Sequence, residues 1–209
     1  MNQRLNGPAW ADIWVAVAAQ LDHYRDAGLE QLLTEDVVRF ATIEQLAAAG
    51  VAPSRLEVEW RRHSVPDAVD LVVSDLEPAA VEFKFPREPR EKNAAWTQHL
   101  GEALKDFYRL AHMPPEFVHR WCVQLLSTRM RRYLDGVTDR HGVRFGLTTG
   151  SVTVLDPGRV RALSATTQKG LARWLDELPP IHARCVAVHP IGSNLRLTAH
   201  TVQPVEPLV

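Results

Sequence analysis

Two cysteines in 209 residues, Cys122 and Cys185, are too few for a disulfide framework. Each stands in an apolar run, RWCVQLL and ARCVAV, and reads as a buried free thiol in a reducing compartment. No apolar run reaches the length needed to cross a membrane. Ala16-Val17-Ala18 imitates a signal cleavage site, but Asp12 interrupts the run before it and the stretch has helical spacing. The expectation is a cytoplasmic protein without a membrane partner. The net charge of −1 excludes a molecule that is basic all over, and it leaves room for a local basic patch beside an acidic site. The nine histidines show no HxxxH spacing and no CxxC partner, so no zinc signature is present. A Walker loop, a GxGxxG turn and a GxSxG elbow are all missing. Internal repeats and low-complexity linkers are missing too, which suits one domain over residues 1–209.

What is there centres on Val65 to Pro86, VPDAVDLVVSDLEPAAVEFKFP. It predicts two short strands, Val69 to Ser74 and Ala80 to Phe85, joined by the turn chemistry of Asp75, Leu76, Glu77 and Pro78. Three charges, Asp70, Glu82 and Lys84, interrupt otherwise core-like strands. Side chains alternate faces along a strand, so Glu82 and Lys84 share one face while Val81, Phe83 and Phe85 take the other. An antiparallel hairpin folded about Leu76 places Asp70 opposite Glu82 and Leu71 opposite Val81. The three charges then converge on one face, and a slip of one residue scatters them. Two carboxylates across a strand pair repel unless a cation lies between them, and Lys84 or a divalent metal can serve. The rival reading is a surface hairpin with a salt-bridged solvent face. Val69, Leu71, Val72 and Val73 oppose it, because such a strand is buried on both faces.

Asp70, eleven residues, then Glu82-Phe83-Lys84 resembles the motif of the PD-(D/E)xK nuclease superfamily, which has the restriction-endonuclease-like fold. The resemblance covers the order helix, strand, hairpin, helix, strand from about residue 34 to residue 127. It implies an α/β fold, a mixed β-sheet flanked by helices, with an added N-terminal helix and a C-terminal α/β elaboration. It implies hydrolysis of phosphodiester bonds, most often in DNA, with Mg²⁺ or Mn²⁺ held by Asp70 and Glu82. Lys84 then positions or deprotonates the attacking water and offsets phosphate charge. Many members carry a glutamate on the helix before the sheet, and Glu35 in LTEDVVRF is the candidate, ahead of Glu44. Arg39, one turn on, is placed to pair with Glu35. Members also carry a polar residue on the helix after the motif, and Gln98 is the candidate, although Glu102 stands where one branch has tyrosine. Restriction, phage defence or repair would use such an enzyme. The alternative is a nuclease-fold binding or scaffold protein without turnover, with a protein partner or a second copy of the chain.

The remaining chain reads more plainly. Pro8 opens a helix from about Ala9 to Ala27 with one apolar stripe, Trp10, Ile13, Trp14, Val17, Ala18, Leu21 and Tyr24, whose tryptophans read as core. Thr34 caps a second helix, and Asp36 suits the positive end of its dipole. Leu56 to Trp60 alternates as a strand, with Glu57 and Glu59 toward solvent. A helix from Ala94 to His112, a strand from Val118 to Ser127 and a helix from Arg129 to Arg140 follow. Asp156-Pro157-Gly158 reads as a turn. A strand at Val152 to Leu155, a helix at Thr166 to Glu177 and strands at His182 to His189 and Leu195 to Val202 complete the chain. Arg62 and His63 lie just before the hairpin, and Asp67 just outside its first strand. Arg87, Arg90, Lys92, Arg129, Arg131 and Arg132 are the candidates for phosphate contacts.

Overall fold

The computed structural model describes residues 9–61, 68–74, 77–86, 96–171, 174 and 179–204. Pro8, the 62–67 segment with Arg62, His63 and Asp67, the 75–76 turn and the last five residues lie outside them. The fold is α/β: one seven-stranded mixed sheet with helices on both faces, as the pattern of elements predicts. The strands are β1 (Leu56–Trp60), β2 (Val69–Val73), β3 (Ala79–Lys84), β4 (His119–Ser127), β5 (Val152–Leu155), β6 (Ile181–Ile191) and β7 (Leu195–Val202). Their order across the sheet is β1-β2-β3-β4-β7-β6-β5. Only β3 and β4 run parallel; every other neighbouring pair is antiparallel. The C-terminal strands therefore continue the same sheet outward from β4.

The helices are α1 (Trp10–Asp26), α2 (Glu35–Ala48), α3 (Trp96–Ala111), α4 (Thr128–His141), α5 (Pro157–Arg161) and α6 (Ala165–Leu171). Each face of the sheet has its own core. On one, α1 and α2 pack on Leu71, Val81, Phe83, Trp121 and Val123. Trp10, Trp14 and Trp121 lie within 5.4–5.5 Å of one another there, centroid to centroid. The α1 stripe is core because its apolar residues recur at helical spacing. On the other face, α3 and α4 cover Val72, Ala80, Cys122 and Leu126. Helix α3 makes the crossover that parallel β3 and β4 require.

Two local expectations fail. Asp156-Pro157-Gly158 opens α5 rather than a simple turn: Asp156 accepts from the Arg159 amide at 3.0 Å and proline occupies the first turn. Arg39 does not pair with Glu35. It bonds Asp36 and reaches Glu59 at 2.5 Å. Asp36 is thus held by Arg39, and Thr34 caps α2 through its hydroxyl, which accepts from the Val37 amide at 3.3 Å.

Candidate active site

The site begins with the register of β2 and β3. Leu71 faces Val81 and Val72 faces Ala80, the pairing that a fold about residue 76 requires. Asp70 therefore stands across from Glu82. Strand alternation places Glu82 and Lys84 with Ala80 on the α3 face, while Val81 and Phe83 enter the opposite core. Asp70, Glu82 and Lys84 line one cavity of about 380 Å³, together with Glu59, Arg61, Ala68, Lys105, Asp106 and Arg109. Among the described residues no three His, Cys, Asp or Glu side chains form a metal-holding group as they stand. The reason is visible in the pairing of each carboxylate.

Asp70 Oδ2 accepts from the Phe83 backbone N–H at 2.7 Å, which ties the β2 side chain to β3. Glu82 is 2% exposed. Its Oε1 accepts from Arg109 Nη1 at 2.6 Å, a charge-assisted bond from α3 to the centre of the sheet. Burial, then Asp106 and Asp70, push the Glu82 carboxyl well above its usual range, while Arg109 opposes the shift. Asp106, also 2% exposed, is the carboxylate that sequence reasoning missed. Its Oδ1 lies 3.7 Å from Arg109 Nη1 and its Oδ2 lies 3.7 Å from Lys84 Nζ. That buried Oδ2 has no hydrogen-bond partner. Burial raises the Asp106 carboxyl to about 7 against the pull of Lys84 and Arg109.

Lys84 Nζ donates to Glu35, 3.2 Å from Oε2. The same oxygen accepts from the Phe85 backbone N–H at 3.2 Å. The start of α2 and the end of β3 are thereby joined through one carboxylate. Burial works to lower the Lys84 pKa, but Asp106, Glu35 and Asp70 together outweigh it and raise the value. A lysine so held stays charged at neutral pH, which suits a group that offsets phosphate charge and not one that takes a proton from water.

Glu44 lies elsewhere, bonded to Gln20 on an exposed surface. Gln98 is also absent from the cluster: its amide donates to Glu102 Oε1 at 3.0 Å in an exposed position. The helix face was right and the axial position was not. Residues 98, 102, 106 and 109 fall on one stripe of α3, yet Gln98 sits about 12 Å along the axis from Asp106. Glu59, exposed on the edge strand as expected, also stands at the rim of the cavity, with a left-handed φ of 52°. That backbone is strained for a non-glycine residue, and strain of this kind gathers at functional sites.

Beyond Lys84 a second groove, of about 740 Å³, opens between Phe85, Pro86, the end of β4 and the N-terminus of α4. Arg129 and Arg132 line it. The Arg129 guanidinium also stands 5.2 Å over the Trp96 ring. Arg131 is half-buried and outside that lining. Arg87, Arg90 and Lys92 lie outside the described residues.

The donors that face the cavity, Asp70, Glu82 and Asp106, are all carboxylates. That set fits a hard divalent cation such as Mg²⁺ or Mn²⁺, and the unbonded Oδ2 of Asp106 is an available ligand atom. No helix of the described residues is long and apolar enough to cross a membrane. Compared with protein-family models, curated proteins and solved structures, the chain gives no match.

Proposed function

We propose that this chain is a metal-dependent phosphodiesterase of the PD-(D/E)xK type, acting on nucleic acid, with DNA as the favoured substrate. The single observation that supports it most is the convergence of Asp70, Glu82 and Lys84 on one cavity, with Glu35 on Lys84. Burying charges of this kind costs stability, and groups so perturbed gather at functional sites. Asp70 and Glu82 are the residues that hold Mg²⁺ or Mn²⁺, which supplies an acidified water and charge neutralisation. Lys84, held charged, faces the phosphate and offsets the charge that grows as water adds and the P–O bond breaks. Glu35 fixes where Lys84 points. Arg129 and Arg132 bind flanking phosphates in the adjoining groove without reading sequence. A cytoplasmic location belongs to the same proposal.

A cleavage panel on single- and double-stranded DNA and RNA, with Mg²⁺, Mn²⁺ or EDTA, tests the reading. Metal-dependent cutting that Asp70→Ala abolishes supports it; no cutting of any substrate by folded, metal-bound protein overturns it. One observation favours a second reading, a nuclease-fold binding protein without turnover. The cavity is lined by four carboxylates (Glu59, Asp70, Glu82, Asp106) and four cations (Arg61, Lys84, Lys105, Arg109), so the protein neutralises it unaided. Tight binding of nucleic acid without cleavage, in saturating metal, selects that reading.

A further inference from the structure

Arg109 does more than balance charge on the wall of a helix. One atom, Nη1, serves two buried carboxylates, at 2.6 Å from Glu82 Oε1 and 3.7 Å from Asp106 Oδ1. Both acids and Arg109 itself are at most 6% exposed. A guanidinium so placed does for the carboxylates what an inorganic cation does: it offsets two negative charges that cannot otherwise share a dry cavity. Asp106 meanwhile keeps one buried oxygen, Oδ2, without a hydrogen bond, and Lys84 Nζ lies 3.7 Å from it. Buried polar atoms usually find a hydrogen-bond partner, so this oxygen is open to a ligand.

We propose that Arg109 and a divalent cation compete for the same carboxylates, and that Asp106 is the third acid of the metal site beside Asp70 and Glu82. Arg109 is the counter-ion of the metal-free protein. Its bond to Glu82 breaks when the cation takes that carboxylate. Charge arithmetic gives the reason. Arg109 already offsets Glu82 and Asp106, so a divalent cation gains those same oxygens only if the resident guanidinium withdraws from them. Arg109 contacts two of the three acids, Glu82 at 2.6 Å and Asp106 at 3.7 Å, while Lys84 contacts one of them, Asp106, and is also held by Glu35. The consequence is a metal affinity weaker than the three acids alone would give. This inference rests on the metal-dependent reading above.

Calorimetry with Mn²⁺ on the full chain tests it without any activity readout. Arg109→Met removes the competing charge and keeps the apolar stem, and its Mn²⁺ affinity rises roughly tenfold or more, the value of one charge-assisted hydrogen bond no longer broken. Asp106→Asn lowers the affinity by roughly 10- to 100-fold. A purely structural Arg109 predicts the opposite for Arg109→Met, a looser site and weaker binding. A second measurement needs no variant: the side-chain Nε–H resonance of Arg109 in ¹⁵N-labelled wild type shifts and its hydrogen exchange quickens on saturation with Mg²⁺. Wild type that binds neither ion overturns the metal-dependent reading and this inference together. Wild type that binds metal while Arg109→Met binds no tighter, or while the Arg109 resonance stays unmoved, overturns this inference alone. If Arg109→Met fails to fold, the resonance decides.

Discussion

Lys84 and Glu35, 49 residues apart in the chain, meet at 3.2 Å between Nζ and Oε2. The same Glu35 oxygen takes the N–H of Phe85. One carboxylate at the start of α2 therefore fixes both the lysine and the strand end that carries it. Thr34 places that carboxylate by capping the helix one residue earlier.

Lys84→Ala separates chemistry from metal binding. It removes the charge that faces phosphate and leaves Asp70, Glu82 and Asp106 in place. Cleavage falls by at least about 100-fold while Mn²⁺ affinity stays or tightens. Calorimetry and a cleavage assay on the same folded preparation check this, and wild-type cutting by the variant removes Lys84 from the chemistry.

Glu35→Ala and its neighbour Asp36→Ala differ in outcome. Losing Glu35 frees Lys84 and the Phe85 amide, and turnover drops by roughly 10- to 100-fold, with the greater effect on kcat. Asp36 makes only a surface pair with Arg39. Its loss changes stability by about 0.5 kcal/mol or less and leaves turnover intact. Equal effects from the two variants would remove the special role of Glu35.

The buried acids give a pH dependence of known sign. Asp106 titrates near 7 in the folded chain, against an ordinary value of 3.8. The folded state holds that proton more tightly than the unfolded chain. The contribution is complete below 3.8 and is lost as pH rises through about 7. Burial, Asp106 and Asp70 push Glu82 the same way, while Lys84, Lys105 and Arg109 oppose the Asp106 shift. In EDTA, urea midpoints of wild type fall between about pH 5 and about pH 8, and Asp106→Asn flattens that fall. An unchanged profile in the variant shows that another group is responsible.

Gly101→Ala tests the packing that holds α3 over the site. A Cβ at Gly101 comes to 2.5 Å from the Thr167 carbonyl oxygen, and Gly170 packs on Gly101 from the α6 side. The helices touch backbone to backbone, so the added methyl forces them apart. A loss of about 1–3 kcal/mol is expected. Thermal unfolding measures it, and a neutral or stabilised variant would mean the two helices separate at no cost.

The proposed binding of nucleic-acid phosphates in the second groove would be electrostatic. Arg129→Ala with Arg132→Ala reduces the slope of log affinity against log salt by about 2 and weakens all sequences alike. Fluorescence anisotropy on a short labelled strand, at several salt concentrations, checks this. An unchanged slope moves the nucleic acid off this surface.

The hairpin register was legible because the side-chain period of a strand is 2. Asp70, Glu82 and Lys84 share a face with the apolar set intact only when the register has the right parity, and the pairing formed, a fold about residue 76, has it. The α1 stripe and the Thr34 cap follow from equally local rules, a period near 3.6 and a hydroxyl before an acidic turn, while the mixed α/β architecture was read through the resemblance. Glu35 was found through resemblance, and no local rule marks it above Asp36. The polar stripe of α3 was legible as a face but not as a position along the axis. Which of Gln98, Glu102, Asp106 and Arg109 reaches Glu82 depends on where α3 comes to rest on the sheet, and the Gly101 contact with α6 takes part in setting that. The partners of Glu82 and Lys84 are separated from them by long stretches of chain, and no sequence spacing encodes a contact between elements that only packing brings together. Local periodicity determined which faces are polar; the tertiary structure alone decided that Asp106 and Arg109, rather than Gln98, complete the cluster.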